Sequence, residues 1–227
     1  HCDEKKARNK FMQDTLVALQ RAKHDESVKI QPDDFDFPIF ESIIQARILH
    51  LEGKTTEAKR ALETSQIEIE QNFTDYPVAM AADSLQLMLT LGDYEEAAKL
   101  TKIIQNNPDK VDNSILYLAQ TEASKIHSKR SKYVKHNKLG IELYGQAKYA
   151  KAYDQFTLAK QISPLNIGVT LNLLQSLAYL IKDSDSPEGK HIMEARELYR
   201  FISTMPLKSV HKAKFESMRE DIETAVL

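Results

Sequence analysis

The positions of the prolines constrain the fold of this chain more than any other feature of its sequence. Proline disrupts the interior of an α-helix but is tolerated in its first turn or beyond its end. All seven prolines lie at the edges of segments whose apolar residues recur at intervals of three and four, namely Pro32, Pro38, Pro77, Pro108, Pro164, Pro187 and Pro206. The stretches between them therefore predict helices or helix pairs, and no segment alternates at period two as a strand would.

The scarcity of turn-forming residues supports the same fold class. The chain has 6 glycines and 7 prolines among 227 residues, well below the roughly 12% that is usual for these two residues together. An all-β chain of this length would need many more tight turns. Because 42% of the residues are hydrophobic and 28% are charged, the chain can bury a core and is not a disordered one. The predicted fold class is all-α.

The apolar periodicity predicts ten helical segments. They are expected over residues 4–23, 40–51, 56–72, 77–91, 94–106, 113–146, 148–162, 166–182, 188–204 and 208–225. The long segment 113–146 is expected to break near residues 124–131.

A helix–turn–helix pattern recurs, with an alanine early in each second helix. Three copies are Gly53-x4-Ala58, Gly92-x4-Ala97 and Ala147-x4-Ala152, and Ala195 marks a fourth. Glycine ends a helix because it tolerates the left-handed conformation found just past the last turn. Alanine lets two helix backbones approach closely, where a larger side chain would overpack the crossing. The four alanines are unevenly spaced, so irregular insertions between the pairs are expected.

Residues 133–166 carry the fullest version of this pattern. The matching positions are Leu139, Gly140, Tyr144, Tyr149, Ala152, Phe156, Ala159 and Pro164. The segment resembles a tetratricopeptide repeat (TPR), a unit of 34 residues, although His136 stands where that family most often has Trp. The resemblance implies a single domain over 1–227, an α–α superhelix of antiparallel helix pairs. The expected pairs are 38–72, 77–106, 133–164 and 166–204, with flanking helices over 1–24 and 208–227.

A wider resemblance covers most of the chain. The run Asn106-Asn107-Pro108, the long connecting helices, residues 134–144 and residues 171–175 are similar to the carboxy-terminal region of bacterial response regulators that join a CheY-like receiver to TPRs. The resemblance implies the output or partner-binding part of a two-component phosphorelay in the bacterial cytoplasm. No phospho-acceptor Asp follows a strand here, and the chain starts without Met. We therefore expect a fragment of a longer or processed chain.

The TPR resemblance also implies a concave groove lined by the first helix of each pair. Mapped onto this sequence, the protein-binding groove residues are Asn137, Lys138, Ile141, Tyr144, Asn172, Gln175 and Tyr179. An amide both donates and accepts hydrogen bonds, and Asn with Lys resembles the sets by which some family members hold a peptide backbone or terminal carboxylate. The alternative interpretation is that these side chains are solvated or satisfy helix ends.

A basic stretch over residues 125–138 lies within a longer interval, residues 123–141, that contains no acidic residue. Its cations are Lys125, Lys129, Arg130, Lys132, Lys135 and Lys138. It can attract an acidic partner or a phosphate backbone, or it can be a solvated helix face. The formal net charge of -2 and the single interleaved aromatic, Tyr133, count against nucleic acid.

No pattern of catalytic or metal-binding residues meets its requirements. The nucleotide-binding, metalloprotease and serine-hydrolase motifs are absent. Asp183, Asp185 and Glu194 have calcium-loop spacing, but Pro187 and Glu188 occupy positions that need a ligand and a glycine. The Glu188-x-x-His191 spacing of di-iron sites lacks its second copy. We instead expect a solvated turn in which Ser186 or Asp185 caps the next helix, and no catalytic residue, cofactor or metal.

The sequence thus predicts a non-catalytic module that binds another protein or peptide through its groove. The alternative is a structural scaffold that mediates self-association or docks a receiver domain, so a homo-oligomer stays open. A lone cysteine, Cys2, fits a reducing compartment such as the cytoplasm. The longest apolar stretch, residues 165–181, is interrupted by polar residues, so no membrane span is expected. Nucleic acid is not an expected partner.

Overall fold

A computed structural model of the chain describes residues 37–72, 78–110 and 113–226, together with the isolated positions Asp14 and Val17. Helices make up nearly all of this part of the chain, and it contains no strand. The predicted all-α class is confirmed. The helix predicted over residues 4–23 lies outside the described residues, apart from Asp14 and Val17, which are both helical.

Nine α-helices occur within the described ranges, and their bounds lie within three residues of the predicted ones. They are α1 (Phe37–Leu51), α2 (Thr55–Asn72), α3 (Val78–Leu91), α4 (Tyr94–Asn106), α5 (Asn113–Gly145), α6 (Tyr149–Ile162), α7 (Ile167–Lys182), α8 (Gly189–Ser203) and α9 (Ser209–Val226). A short 3₁₀ turn, Pro108–Lys110, lies between α4 and α5.

The break predicted near residues 124–131 is wrong, because α5 continues through it. Buried residues recur at seven-residue intervals along this helix, namely Ala119, Ile126, Tyr133 and Gly140. Seven residues make almost two whole turns, so one face stays against its neighbours along most of the helix. No glycine or proline occurs before Gly140 to interrupt it.

An ion pair with α4 holds the middle of α5 in place. The Arg130 guanidinium donates two hydrogen bonds to the Glu95 carboxylate, at 2.7 and 2.9 Å, and the Tyr133 hydroxyl donates to the same group. Burial alone would raise the pKa of Glu95, but the bonds from Arg130 and Tyr133 outweigh it and lower that pKa. The carboxylate is therefore a charged anchor between the two helices.

The contacts between residues divide the chain into two compact units, with the boundary along the sequence between Leu87 and Met88. In the first unit α1 packs against α2, and the turn between them has Gly53 at a φ of 80°. Ala46, Ala58 and Leu62 are fully buried there. The prediction of one repeat domain over 1–227 stays a prediction, since each unit is described by itself.

The second unit is built around α7, which contacts α5, α6, α8 and α9. Its apolar side chains are buried on nearly every side, including Leu171, Leu173, Leu174 and Leu177. The Asn166 side chain begins this helix by accepting a hydrogen bond from the Val169 backbone N–H at 2.9 Å, as an N-cap does. Within the described residues, no helix is both long and apolar enough to span a bilayer.

Two glycines of the second unit allow close approaches. Gly92 has a φ of 71°, and its carbonyl accepts a hydrogen bond from the Ser163 hydroxyl at 2.8 Å. A Cβ atom on Gly140 would lie 2.5 Å from the ring of Phe156, so a side chain there would force α5 and α6 apart. Gly140 therefore sets the spacing of these two helices.

Replacing Gly140 with Ala should destabilise the protein by about 1–3 kcal/mol, because the added methyl overlaps a buried ring. Gly145→Ala is the matched control on the same helix, since its Cβ would meet nothing within 4 Å. It should be neutral or stabilise by about 0.5 kcal/mol. Urea unfolding followed by circular dichroism measures both changes. A Gly140→Ala variant as stable as Gly145→Ala would contradict this packing.

Lys160 should make stability depend on pH, because burial lowers its pKa from 10.5 to about 8 despite the opposing charge of Glu194. Its ammonium donates to the Pro164 carbonyl at 2.7 Å and lies 5.6 Å from the Phe201 ring centroid. Between pH 8 and 10.5 the unfolded chain binds more protons at this site, so stability rises with pH there.

Lys160→Met should therefore gain stability relative to the wild type below pH 8. The difference should shrink by an amount on the order of 3 kcal/mol as the pH rises toward 10.5. Urea titrations of both proteins from pH 6.5 to 10.5 measure it, with the exposed Lys151→Met as the control. A difference that is independent of pH would contradict the lowered pKa.

Candidate functional site

A row of polar side chains crosses three helices of the second unit. The Asn172 amide in α7 donates to the Asn137 side-chain oxygen in α5 at 2.8 Å. On its other side, the Asn172 oxygen accepts from the Lys214 ammonium in α9. Asn172 is only 7% exposed, and buried polar groups need such partners. We call Asn137, Asn172 and Lys214 the amide row.

A second row crosses the same helices. Tyr144 in α5 meets the Tyr179 ring in α7 edge-on, with ring centroids 5.7 Å apart. The Tyr179 hydroxyl donates to the Asp221 carboxylate in α9 at 2.9 Å. Tyr149, the first residue of α6, packs on both rings at 5.3 and 5.1 Å. We call Tyr144, Tyr179 and Asp221 the tyrosine row.

The two rows have the same spacing on every helix, seven residues in α5, in α7 and in α9. Seven residues are two helical turns, a rise of about 10.5 Å. On each of the three helices the residue of the amide row comes seven positions before the residue of the tyrosine row. The three helix segments therefore run in the same direction with matched register. Ile141 and Gln175 lie between the rows by sequence position, and Ile141 is 50% exposed. An apolar side chain open to solvent thus lies between two polar rows.

The charges of the rows differ. Burial lowers the pKa of Lys214, because desolvation disfavours an ammonium ion. Asp221 lies in the other row, where hydrogen bonds from Lys182 and Tyr179 lower its pKa despite some desolvation. Burial raises the pKa of Tyr144, as do the neighbouring phenol hydroxyls of Tyr179 and Tyr149. The amide row therefore carries a poorly solvated cation, and the tyrosine row carries a stabilised anion.

The structure brings together most of the residues that the sequence assigned to the groove. Asn137 and Asn172 form the amide row, and Tyr144 and Tyr179 belong to the tyrosine row. Gln175 is partly buried and Lys138 is exposed beside Asn137. The assignment of these residues to partner binding stays a prediction.

Sequence reasoning missed Lys214, Asp221 and Tyr149. The signal for the first two was present, because they repeat in α9 the seven-residue spacing of the groove positions in α5 and α7. The prediction of residues 208–227 as a flanking helix outside the repeats left these two positions out of the groove. Tyr149 was assigned to the repeat motif, but its position after the turn gave no sign that its ring would reach α7.

The acidic segment before α8 does not form a ligand cluster. Within the described part of the chain, no group of three His, Cys, Asp or Glu side chains is placed to hold a metal ion. Glu194 instead accepts a hydrogen bond from the Tyr153 hydroxyl at 2.8 Å. The expected cap was wrong, since Glu188 occupies the N-cap position of α8 and its side chain makes no capping bond.

No protein-family model, curated protein or solved structure matches this chain. The likeness to TPRs and to response regulators consequently rests on the residues quoted for it and stays a prediction.

A double-mutant cycle tests the amide row. Asn137→Ala and Asn172→Ala should each cost about 1–2 kcal/mol, because each leaves a partly buried amide without its partner. Their coupling free energy in urea unfolding should be about 1 kcal/mol. A parallel cycle of the exposed Lys138 with Asn172 should couple by less than about 0.5 kcal/mol. Equal coupling in both cycles would contradict the contact.

Proposed function

We propose that the second unit is a non-catalytic protein-interaction module, which binds a peptide segment across the amide and tyrosine rows. The observation that carries this proposal is the amide row itself. It combines a partly desolvated ammonium, the partly buried Asn137 amide and the buried Asn172 amide, and the exposed Ile141 follows Asn137 by one turn of α5. Such a surface offers hydrogen bonds, a positive charge and an apolar contact within about 10 Å.

The packing of the second unit supports a TPR-like arrangement of helix pairs. Gly140 lies against Phe156, and Ala152 and Ala159 are fully buried on the facing helix α6, as expected for small residues at a helix crossing. In this proposal α5 with α6 and α7 with α8 are successive pairs, and α9 repeats the position of a first helix. The matched register of α5, α7 and α9 is what such stacking produces.

The chemistry of the rows favours an anionic group on the ligand. The burial that lowers the pKa of Lys214 is a desolvation cost, and a carboxylate beside the ammonium would offset it and raise that pKa. The Asn137 and Asn172 amides can exchange their mutual bond for bonds to a peptide backbone. An extended segment advances about 3.3 Å per residue, so three residues would span the distance between the rows.

The wider resemblance extends the proposal to a biological setting. A peptide-binding helical unit of this kind would be the partner-binding output region of a bacterial response regulator. Recruitment of a partner in the cytoplasm would then be its role in phosphorelay signalling. Self-association or docking of a receiver domain is the alternative use of the same helices.

A library of fluorescein-labelled hexapeptides with free terminal carboxylates tests the peptide site. Fluorescence anisotropy should find sequences that bind the wild type. Lys214→Gln should weaken them about tenfold or more, because a charged hydrogen bond contributes about 1.5–3 kcal/mol. Amidating the peptide terminus should weaken wild-type binding similarly and add little in the variant. Lys212→Gln, an exposed change on the same helix, is the control and should bind as the wild type does.

Three results would contradict the proposal. They are the absence of any binding hexapeptide, equal affinity for Lys214→Gln and the wild type, and equal losses in both lysine variants. Circular dichroism melts of each variant separate lost binding from lost folding. Light scattering over a concentration series on the same samples tests the alternative, since self-association requires a mass that rises with concentration.

A further inference from the structure

The outward face of α5 carries a stripe of lysines that the peptide site does not use. At 100° per residue, Lys125, Lys129, Lys132 and Lys135 lie within an arc of about 120° and over a length of about 15 Å. All four are exposed. We call these four residues the lysine stripe. Asn137 and Tyr144 lie on another face, roughly 120–140° around the helix from the centre of the stripe.

The stripe is not neutralised by the rest of the described structure. The exposed Lys125 forms an ion pair with the partly buried Glu122 at 3.1 Å. Lys129, Lys132 and Lys135 make no hydrogen bond or ion pair with the described residues. No acid occurs between residues 123 and 141. Like charges three and four residues apart on a helix repel one another, so an anionic partner would relieve this repulsion.

The neighbouring side chains favour carboxylates over phosphates. Arg130 is the only guanidinium in this stretch, and Glu95 already occupies its fork, so it is not open to bidentate phosphate binding. Tyr133 is 4% exposed and offers no ring on which a base could stack. Leu139, 40% exposed, lies on the same arc at one end of the stripe. An acidic peptide with an apolar side chain fits both features.

We propose that the lysine stripe is a second docking surface, which binds an acidic, leucine-containing segment of another protein. Carboxylates spaced three or four residues apart on a partner helix lie about 5–6 Å from one another, which matches the spacing of the lysines on α5. The interaction is electrostatic at an exposed surface, so it weakens as salt increases. It does not depend on the peptide site between α5, α7 and α9.

The probe is a fluorescein-labelled 14-residue peptide of alternating Glu-Glu-Leu and Glu-Glu-Glu-Leu blocks, whose binding is followed by anisotropy at 50 and 200 mM NaCl. The wild type should bind it more tightly at low salt. The triple variant Lys129→Gln, Lys132→Gln, Lys135→Gln should lose about tenfold in affinity, a few-fold for each exposed pair. The charge-matched control is Lys102→Gln, Lys151→Gln, Lys212→Gln, which changes three exposed lysines elsewhere in the unit. It should lose less than twofold.

Several outcomes overturn the proposal. It is overturned if the wild type does not bind the peptide, or if the two triple variants lose equal affinity. It is also overturned if the wild type binds a 12-base-pair duplex or a 12-base single strand more tightly than the peptide. Circular dichroism melts confirm that both triple variants fold. The probe has an amidated terminus, so it lacks the terminal carboxylate that the peptide site is proposed to bind. The triple stripe variant should bind the hexapeptides of that site as the wild type does, so a failure of this surface and a failure of the peptide site give different results.

Discussion

The burial of α7 is the constraint on which the second unit depends. This helix contacts four others, and leucines on nearly all its sides are removed from water. Apolar burial is not directional, so leucines alone would allow α7 to rotate or slide between its neighbours. Asn172 removes that freedom, because its amide is 7% exposed and finds partners only where Asn137 and Lys214 reach it.

The tyrosine row fixes the same alignment of α5, α7 and α9 at a second place. Tyr179 lies two turns beyond Asn172 and contacts Tyr144 on one side and Asp221 on the other. A shift of one turn in α5 or α9 would break both rows together. The polar contacts thus select one alignment among those that the apolar core permits, and that alignment places Ile141 and Lys214 on the surface proposed to bind a peptide.

The sequence predicted the helices well because each depends on local properties. The prolines, the capping asparagine Asn166 and the turn glycine Gly92 act within a few residues of themselves. The expected break in α5 failed for a different reason. Three serines near 124–131 weaken the local helix signal, but the buried Ile126 and Tyr133 and the pair of Arg130 with Glu95 stabilise that stretch. Contacts with residues about 35 positions away override a weak local preference.

By itself, then, the sequence determined an all-α chain and the helix bounds to within three residues, apart from the break expected in α5. The lysines of residues 125–138 were equally visible, because composition and spacing do not depend on folding. Only the tertiary structure decided that Lys214 and Asp221 complete the two rows. It also decided that Arg130 pairs with Glu95, whereas Lys129, Lys132 and Lys135 stay exposed. These are pairings between distant segments, and their geometry depends on how the helices pack, which local periodicity does not encode.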